Sequence, residues 1–99
     1  MTINKIQNAD KLTIEVGGRL DTVTAPELES EVKSSLDGVA ELTFDFKDLE
    51  YISSAGLRVL LTAQKKINDN GGKMIVTGAS EDILDIFEIT GFSAILNVE

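Results

Sequence analysis

The amino-acid sequence predicts an α/β fold: a mixed, largely parallel five-stranded sheet with its helices mainly on one face. Three observations predict it. Apolar and polar residues alternate over two short stretches, at the period of a half-buried strand. Apolar residues recur at helical spacing in longer stretches, which end at Asp37-Gly38, Asn70-Gly71-Gly72 and Gly91. The elements run strand, strand, helix, strand, helix, strand, helix, strand, an order that implies right-handed crossovers and parallel pairing. The two alternating strands leave one sheet face less apolar, which places the helices mostly on the other.

Ile3 to Gln7 reads as a weak first strand, and Asn8-Ala9-Asp10-Lys11 supplies turn chemistry. Leu12-Thr13-Ile14-Glu15-Val16 alternates cleanly as a strand with one buried face, and the short connection makes it a hairpin with the first strand. Arg19 to Val23 is a loop. Thr24-Ala25-Pro26-Glu27 then opens a helix, with Thr24 as cap, Glu27 in capping-box position and Pro26 in the first turn. Its buried stripe is Ala25, Leu28, Val32 and Leu36. Leu42-Thr43-Phe44-Asp45-Phe46 alternates as a third strand. A second helix spans about Ala55 to Asp69, with Leu57, Leu60, Leu61 and Ile67 inward. Lys73 to Thr77 is a short, little-alternating apolar run, as expected of a central strand. Ser80 can cap a third helix over about Glu81 to Thr90, with Ile83, Ile86 and Phe87 toward the core. Ala94 to Val98 is expected to be the last strand. On that helix Leu84 and Ile89 are expected to pack inward, with a second contact surface as the alternative.

The 99 residues suffice for one domain, 1–99, with no linker or repeat. There is no Cys and no His, which removes disulfides, thiol chemistry and the commonest general base. The net charge of −8 argues against nucleic acid and anionic membrane surfaces, both of which select Lys and Arg. It gives solubility, or an acidic face for a basic partner. No run is apolar enough for a membrane span and no signal peptide is visible, so a cytoplasmic protein is expected.

The stretch Asp48 to Leu57 carries the candidate chemistry. In parallel sheets the loops leaving the C-terminal strand ends share one edge, where ligands bind. Here those loops are Arg19 to Thr24, Lys47 to Ser54 and Gly78 to Ser80. Ser53 and Ser54 have no His to activate them, and no nucleophile elbow or Walker loop is present. Asp45 and Asp48 read as solvated or capping carboxylates rather than a Mg²⁺ site. No enzyme activity, metal or cofactor is expected. Ser54 reads as the N-cap of the second helix, a role worth about 1 kcal/mol. The same position suits a phosphate, because helix N-termini offer free N–H donors and the positive dipole end. Gly56 reads as a close-packing position, and Asp21 and Thr22 as turn residues. Arg58 sits in the first turn, where the dipole disfavours a cation. It is either solvated or a contact for a phosphate or a partner's carboxylate.

Two segments resemble STAS domains: Gly18-Arg19-Leu20-Asp21-Thr22-Val23-Thr24-Ala25-Pro26-Glu27-Leu28, and Asp45 to Leu57 with its Ser53-Ser54-Ala55-Gly56-Leu57 turn. Within that family the chain is most similar to bacterial anti-sigma factor antagonists, and the resemblance covers essentially all of it. It implies a protein whose unphosphorylated form binds an anti-sigma factor that is also a serine kinase, thereby freeing a sigma factor. It implies phosphorylation on Ser54, with Ser53 as the second candidate, and reversal by a PP2C-type phosphatase. It places partner contacts at Asp21, Thr22, Ile52, Ser53, Ala55, Gly56, Leu57 and Arg58, in a monomer or weak dimer. Two residues depart from the best-known members: Ser53 stands where they carry Asp, and Arg58 where they often carry Gly. The alternative the family allows is an accessory subunit of a membrane transport ATPase, with Ser54 as a cap alone. A nucleotide- or phosphate-binding module on the same loop edge is a third reading.

Overall fold

Strand β2 (Lys11–Leu20) is the one on which the sheet is built, because it pairs with three others. The computed structural model describes residues 1–99. β1 (Thr2–Asn8) joins β2 as an antiparallel hairpin, with Ala9 at the turn in positive φ. β3 (Glu41–Asp45) runs parallel to the first half of β2, and β4 (Leu49–Ile52) runs parallel to its last three residues. β5 (Lys73–Thr77) pairs in parallel with β3. The helices are α1 (Ala25–Ser35), α2 (Ser54–Asp69) and α3 (Glu81–Thr90). The five-stranded, mixed and largely parallel sheet expected from the sequence is present.

The register shows why the alternating strands place their apolar residues as they do. Leu12, Leu42 and Met74 lie in one row across β2, β3 and β5; Ile14, Phe44 and Val76 lie in another. All six are buried on the face against which the helices pack. The expected stripe of α1 is buried in full, with Leu36 just past the helix end. One cluster of 24 buried apolar side chains fills the space between sheet and helices. The rows between, such as Thr13 with Thr43 and Glu15 with Asp45, point to the opposite face and are partly exposed.

The strand assignments differ from expectation at three places. β4 was read as part of a turn, because its burial pattern does not alternate: Leu49 and Ile52 are buried, while Glu50 and Tyr51 are exposed. The cause is an irregularity in the pairing, which jumps from Gly18–Leu49 to Arg19–Tyr51 and leaves Glu50 as an extra residue. The expected C-terminal strand, Ala94 to Val98, shrinks to a single parallel bridge between Val76 and Val98. A 3-10 turn over Phe92–Ala94 uses up the chain, since the Phe92 carbonyl accepts from both Ile95 and Leu96 N–H groups. β5, read as a central strand, is therefore the last full strand of the β1-β2-β3-β5 path, and only that bridge covers its outer edge. Leu84 and Ile89, expected to pack inward, are exposed on α3.

Candidate functional site

The sheet brings two chain segments together at one edge. The end of β2 leads into Asp21 to Thr24, and the end of β4 leads into Ser53 and α2. A backbone hydrogen bond from Ser53 N–H to the Leu20 carbonyl, 2.9 Å, clasps the two exits together. Below it Gly18 N–H donates to the Asp48 carbonyl at 2.9 Å. The parallel pairing of β2 with β4 therefore fixes the Asp21 loop beside the start of α2.

Asp21 organises its loop. Its Oδ1 accepts from Val23 N–H at 3.0 Å and Thr24 N–H at 3.1 Å, and its carbonyl accepts from Ala25 N–H at 2.8 Å. The Thr24 hydroxyl accepts from Asp21 N–H at 2.9 Å and donates to the Arg19 carbonyl at 2.8 Å. Thr24 was read as a capping-box residue, but it makes no side-chain cap bond to α1. Its hydroxyl is engaged by Asp21 and Arg19; of the free N–H groups of α1, Ala25 N–H donates to the Asp21 carbonyl and Glu27 N–H to the Thr24 carbonyl at 3.0 Å. The Thr24 N–H, above all, holds the Asp21 carboxyl below the usual carboxylate range; Val23 N–H, the Thr24 hydroxyl and Arg19 add to this against some desolvation. The Arg19 guanidinium lies 3.9 Å from Asp21 Oδ2 and 4.4 Å from the centre of the Tyr51 ring.

The cap of α2 falls one residue earlier than expected. Ser53, not Ser54, holds the N-cap position, with extended backbone (φ −98°, ψ 176°) and its carbonyl accepting from Leu57 N–H at 3.0 Å. The extended conformation is the continuation of β4, which the clasp to Leu20 carries through to Ser53. The Ser53 hydroxyl makes no cap bond; its Oγ is buried without any hydrogen-bond partner. Ser54 is the first helical residue and is exposed. Helix geometry leaves the N–H groups of Ser54, Ala55 and Gly56 without intrahelical acceptors, at the positive end of the dipole.

Gly56 seats this helix end. A Cβ there would stand 2.7 Å from Leu20 Cγ and 2.8 Å from Ile52 Cγ1. The resemblance implies Ile52 and Leu57 as contact residues, but both are core, at 2% and 4% exposure, Leu57 as its helical spacing predicts. They support the site from beneath because the bulge in β4 and the first turn of α2 both turn them inward. Arg58, the fifth residue of α2, is exposed one turn after Ser54. It lines a cavity of about 300 Å³ between α1 and α2, together with Thr22, Ala25, Glu29, Ala55 and Thr62. The structure thus gathers Asp21, Thr22, Ser53, Ser54, Ala55 and Arg58 at one edge.

Two exposed residues at this edge escaped the sequence reading. Val23 is 85% exposed at the tip of the Asp21 loop, and Tyr51 is exposed beside Arg19. An apolar residue inside an otherwise polar turn was the available signal for Val23; Tyr51 gave none, because its strand does not alternate. Asp45 and Asp48 serve backbone and surface roles: Asp45 Oδ1 accepts from Lys47 N–H at 3.0 Å, and the Asp48 carbonyl holds Gly18. No helix is long and apolar enough to cross a membrane.

Known proteins share this fold. The family model for the STAS domain matches residues 2–99. An anti-sigma-B factor antagonist of Staphylococcus epidermidis is 31% identical over 99 residues, covering 99% of this chain and 92% of the relative. Among solved structures, an anti-sigma factor antagonist from Mycobacterium paratuberculosis superimposes with a TM-score of 0.86 at 23% identity, covering 98% of this chain and 83% of that one. The Bacillus cell fate determinant SpoIIAA, in its phosphorylated form, gives 0.77 at 15% identity, covering 99% of this chain and 91% of that one. At these identities the two structures establish a shared fold.

Proposed function

The chain belongs to the STAS domain family, and we propose that within it the protein acts as an anti-sigma factor antagonist switched by phosphorylation of Ser54. The observation that carries this reading is the placement of Ser54. It is exposed, it opens α2, and it stands beside the Asp21 loop that the Leu20–Ser53 hydrogen bond holds in place. Ser53, the second candidate, has its Oγ buried and out of reach of an enzyme.

In the unphosphorylated state the edge formed by Asp21, Thr22, Ser54, Ala55 and Arg58 docks an anti-sigma factor that is also a serine kinase, and the sigma factor is released. Ser53, Gly56, Ile52 and Leu57 hold this surface in shape from below. The kinase moves the γ-phosphoryl of ATP to Ser54 Oγ: the new O–P bond forms, ADP leaves, and the hydroxyl proton passes to solvent. A PP2C-type phosphatase hydrolyses the ester and restores the hydroxyl.

The added charge of about −1.5 to −2 is compatible with the helix N-terminus. It opposes docking instead. Burying it unpaired against a partner costs several kcal/mol, and even about 3 kcal/mol weakens binding roughly a hundredfold. The test is calorimetric titration with an anti-sigma factor kinase from the same organism. Ser54→Ala should bind as the unmodified protein does, and Ser54→Asp far more weakly. Equal affinities for the two variants would sink the reading. With Mg-ATP and that kinase, intact mass should rise by about 80 Da in the parent and in Ser53→Ala, and stay unchanged in Ser54→Ala.

A further inference from the structure

Arg58 is a cation without a carboxylate in a chain rich in carboxylates. Of nine Lys and Arg side chains, six lie within 4.0 Å of an acidic group; Arg58, Lys65 and Lys73 do not. As the fifth residue of α2, Arg58 stands just past the first turn, at the end of the helix whose dipole favours anions rather than cations. The one acidic side chain lining the cavity beside it, Glu29, is already held by Lys33 at 2.9 Å. An unpaired cation at this end of the helix is explained if it meets an anion in another state of the protein.

The spacing supplies that anion. Ser54 lies four residues before Arg58 on α2, one turn earlier on the same face. Side chains at this spacing have Cβ atoms about 5–6 Å apart, within reach of a phosphoester on one and a guanidinium on the other. We infer that Arg58 is the internal counter-ion of phosphorylated Ser54: the phosphate draws the guanidinium out of the α1–α2 cavity and onto itself. The inference rests on Ser54 being the acceptor. Arginine suits the task because its planar fork pairs two N–H donors with two phosphate oxygens.

The consequence for the switch is a second mode of action. Phosphorylation adds negative charge at Ser54 and also removes the cavity's only cation from the docking edge. A partner carboxylate that meets Arg58 in the unmodified protein then finds it occupied. The anion gives Arg58 a partner and meets the favourable end of the dipole, so the modified helix end is tightened rather than loosened.

The experiment uses the full chain with phosphoserine installed at position 54 during translation, so that no kinase is needed. Phosphorus NMR follows the second ionisation of the phosphate across pH, in the parent sequence, in Arg58→Gln and in Lys65→Gln. Arg58→Gln should raise the phosphate's affinity for its second proton about threefold, the effect expected for losing one charge-assisted partner at an exposed site. Lys65→Gln, which removes another unpaired cation, should leave the titration unchanged. The Arg58 Nε–H resonance should move on phosphorylation in the parent chain. Identical phosphate titrations in the parent and Arg58→Gln would overturn the inference. Failure of the anti-sigma factor kinase to modify Ser54 would count against the proposed function, while the phosphate titration still decides the role of Arg58.

Discussion

Replacing Gly56 by alanine tests whether α2 is seated as described. The new methyl would stand 2.7 Å from Leu20 Cγ, 2.8 Å from Ile52 Cγ1 and 3.0 Å from Leu20 Cδ2. Neither neighbour has room to retreat, since Leu20 is fully buried and Ile52 nearly so. Overpacking of this kind costs about 1–3 kcal/mol. Alanine's better helix propensity returns about 0.5–1 kcal/mol, so the net loss should fall within about 0–2.5 kcal/mol, centred near about 1 kcal/mol. With a urea m-value of about 1–2 kcal/mol/M, that central loss should lower the midpoint by up to roughly 1 M at unchanged slope. The thermal midpoint should fall by about 5 °C. Truncating Leu20 in the same chain relieves the clash, so Leu20→Ala and Gly56→Ala together should cost at least about 1 kcal/mol less than the sum of the two. A midpoint above that of the parent would mean that propensity decides. The close approach of α2 to β2 and β4 would then be wrong, and with it the placement of Ser54.

Three further outcomes follow from the caps, the loop and α3. Ser80 caps α3 by accepting from Ile83 N–H at 3.3 Å, whereas the Ser53 hydroxyl bonds to nothing. Urea melts should therefore show a loss of about 1 kcal/mol for Ser80→Ala and no loss for Ser53→Ala. The Asp21 carboxyl is held below its ordinary range in the folded chain, so its stabilising effect is complete above the unfolded value and fades as pH drops through the lower folded value. Melting temperatures of the parent and Asp21→Ala should accordingly differ at neutral pH and converge at strongly acid pH. Leu84 and Ile89 are exposed, so changing both to Ser should alter stability by less than about 0.5 kcal/mol, while Phe87→Ala, deep in the core, should cost about 3–5 kcal/mol by the same melts.

The fold was legible wherever periodicity reflects burial. Leu12, Ile14 and Val16 alternate because β2 is covered on one face only, and Leu28, Val32 and Leu36 recur because α1 buries one stripe. Legibility failed where pairing is irregular. The unpaired Glu50 breaks the period of β4, so the strand that positions Ser53 looked like a turn. The chain after Gly91 has strand composition, but the Phe92 carbonyl captures two N–H groups and bends it away. The candidate site was legible at the level of segments, since Asp21, Thr22 and Ser54 do share an edge. Its details were not. A serine pair does not say which hydroxyl is capping, and here the clasp to Leu20 decides that Ser53 takes the cap position and Ser54 faces outward. Burial of Leu57 is recorded by the helical spacing of α2, whereas that of Ile52 follows from the bulge in β4 and the Gly56 contact, long-range features that no local pattern records.

The hydrogen bond between Leu20 and Ser53 also has a kinetic consequence. It closes the sheet one residue before Ser54, so a group attached to Ser54 Oγ lies outside the ladder and strains no strand. Writing or erasing such a group requires no refolding step and no slow relaxation of the core. The response time of the protein would then equal the turnover time of the enzymes that act on it. Its memory would be a charge on a rigid surface, legible only to a partner that tries to dock there.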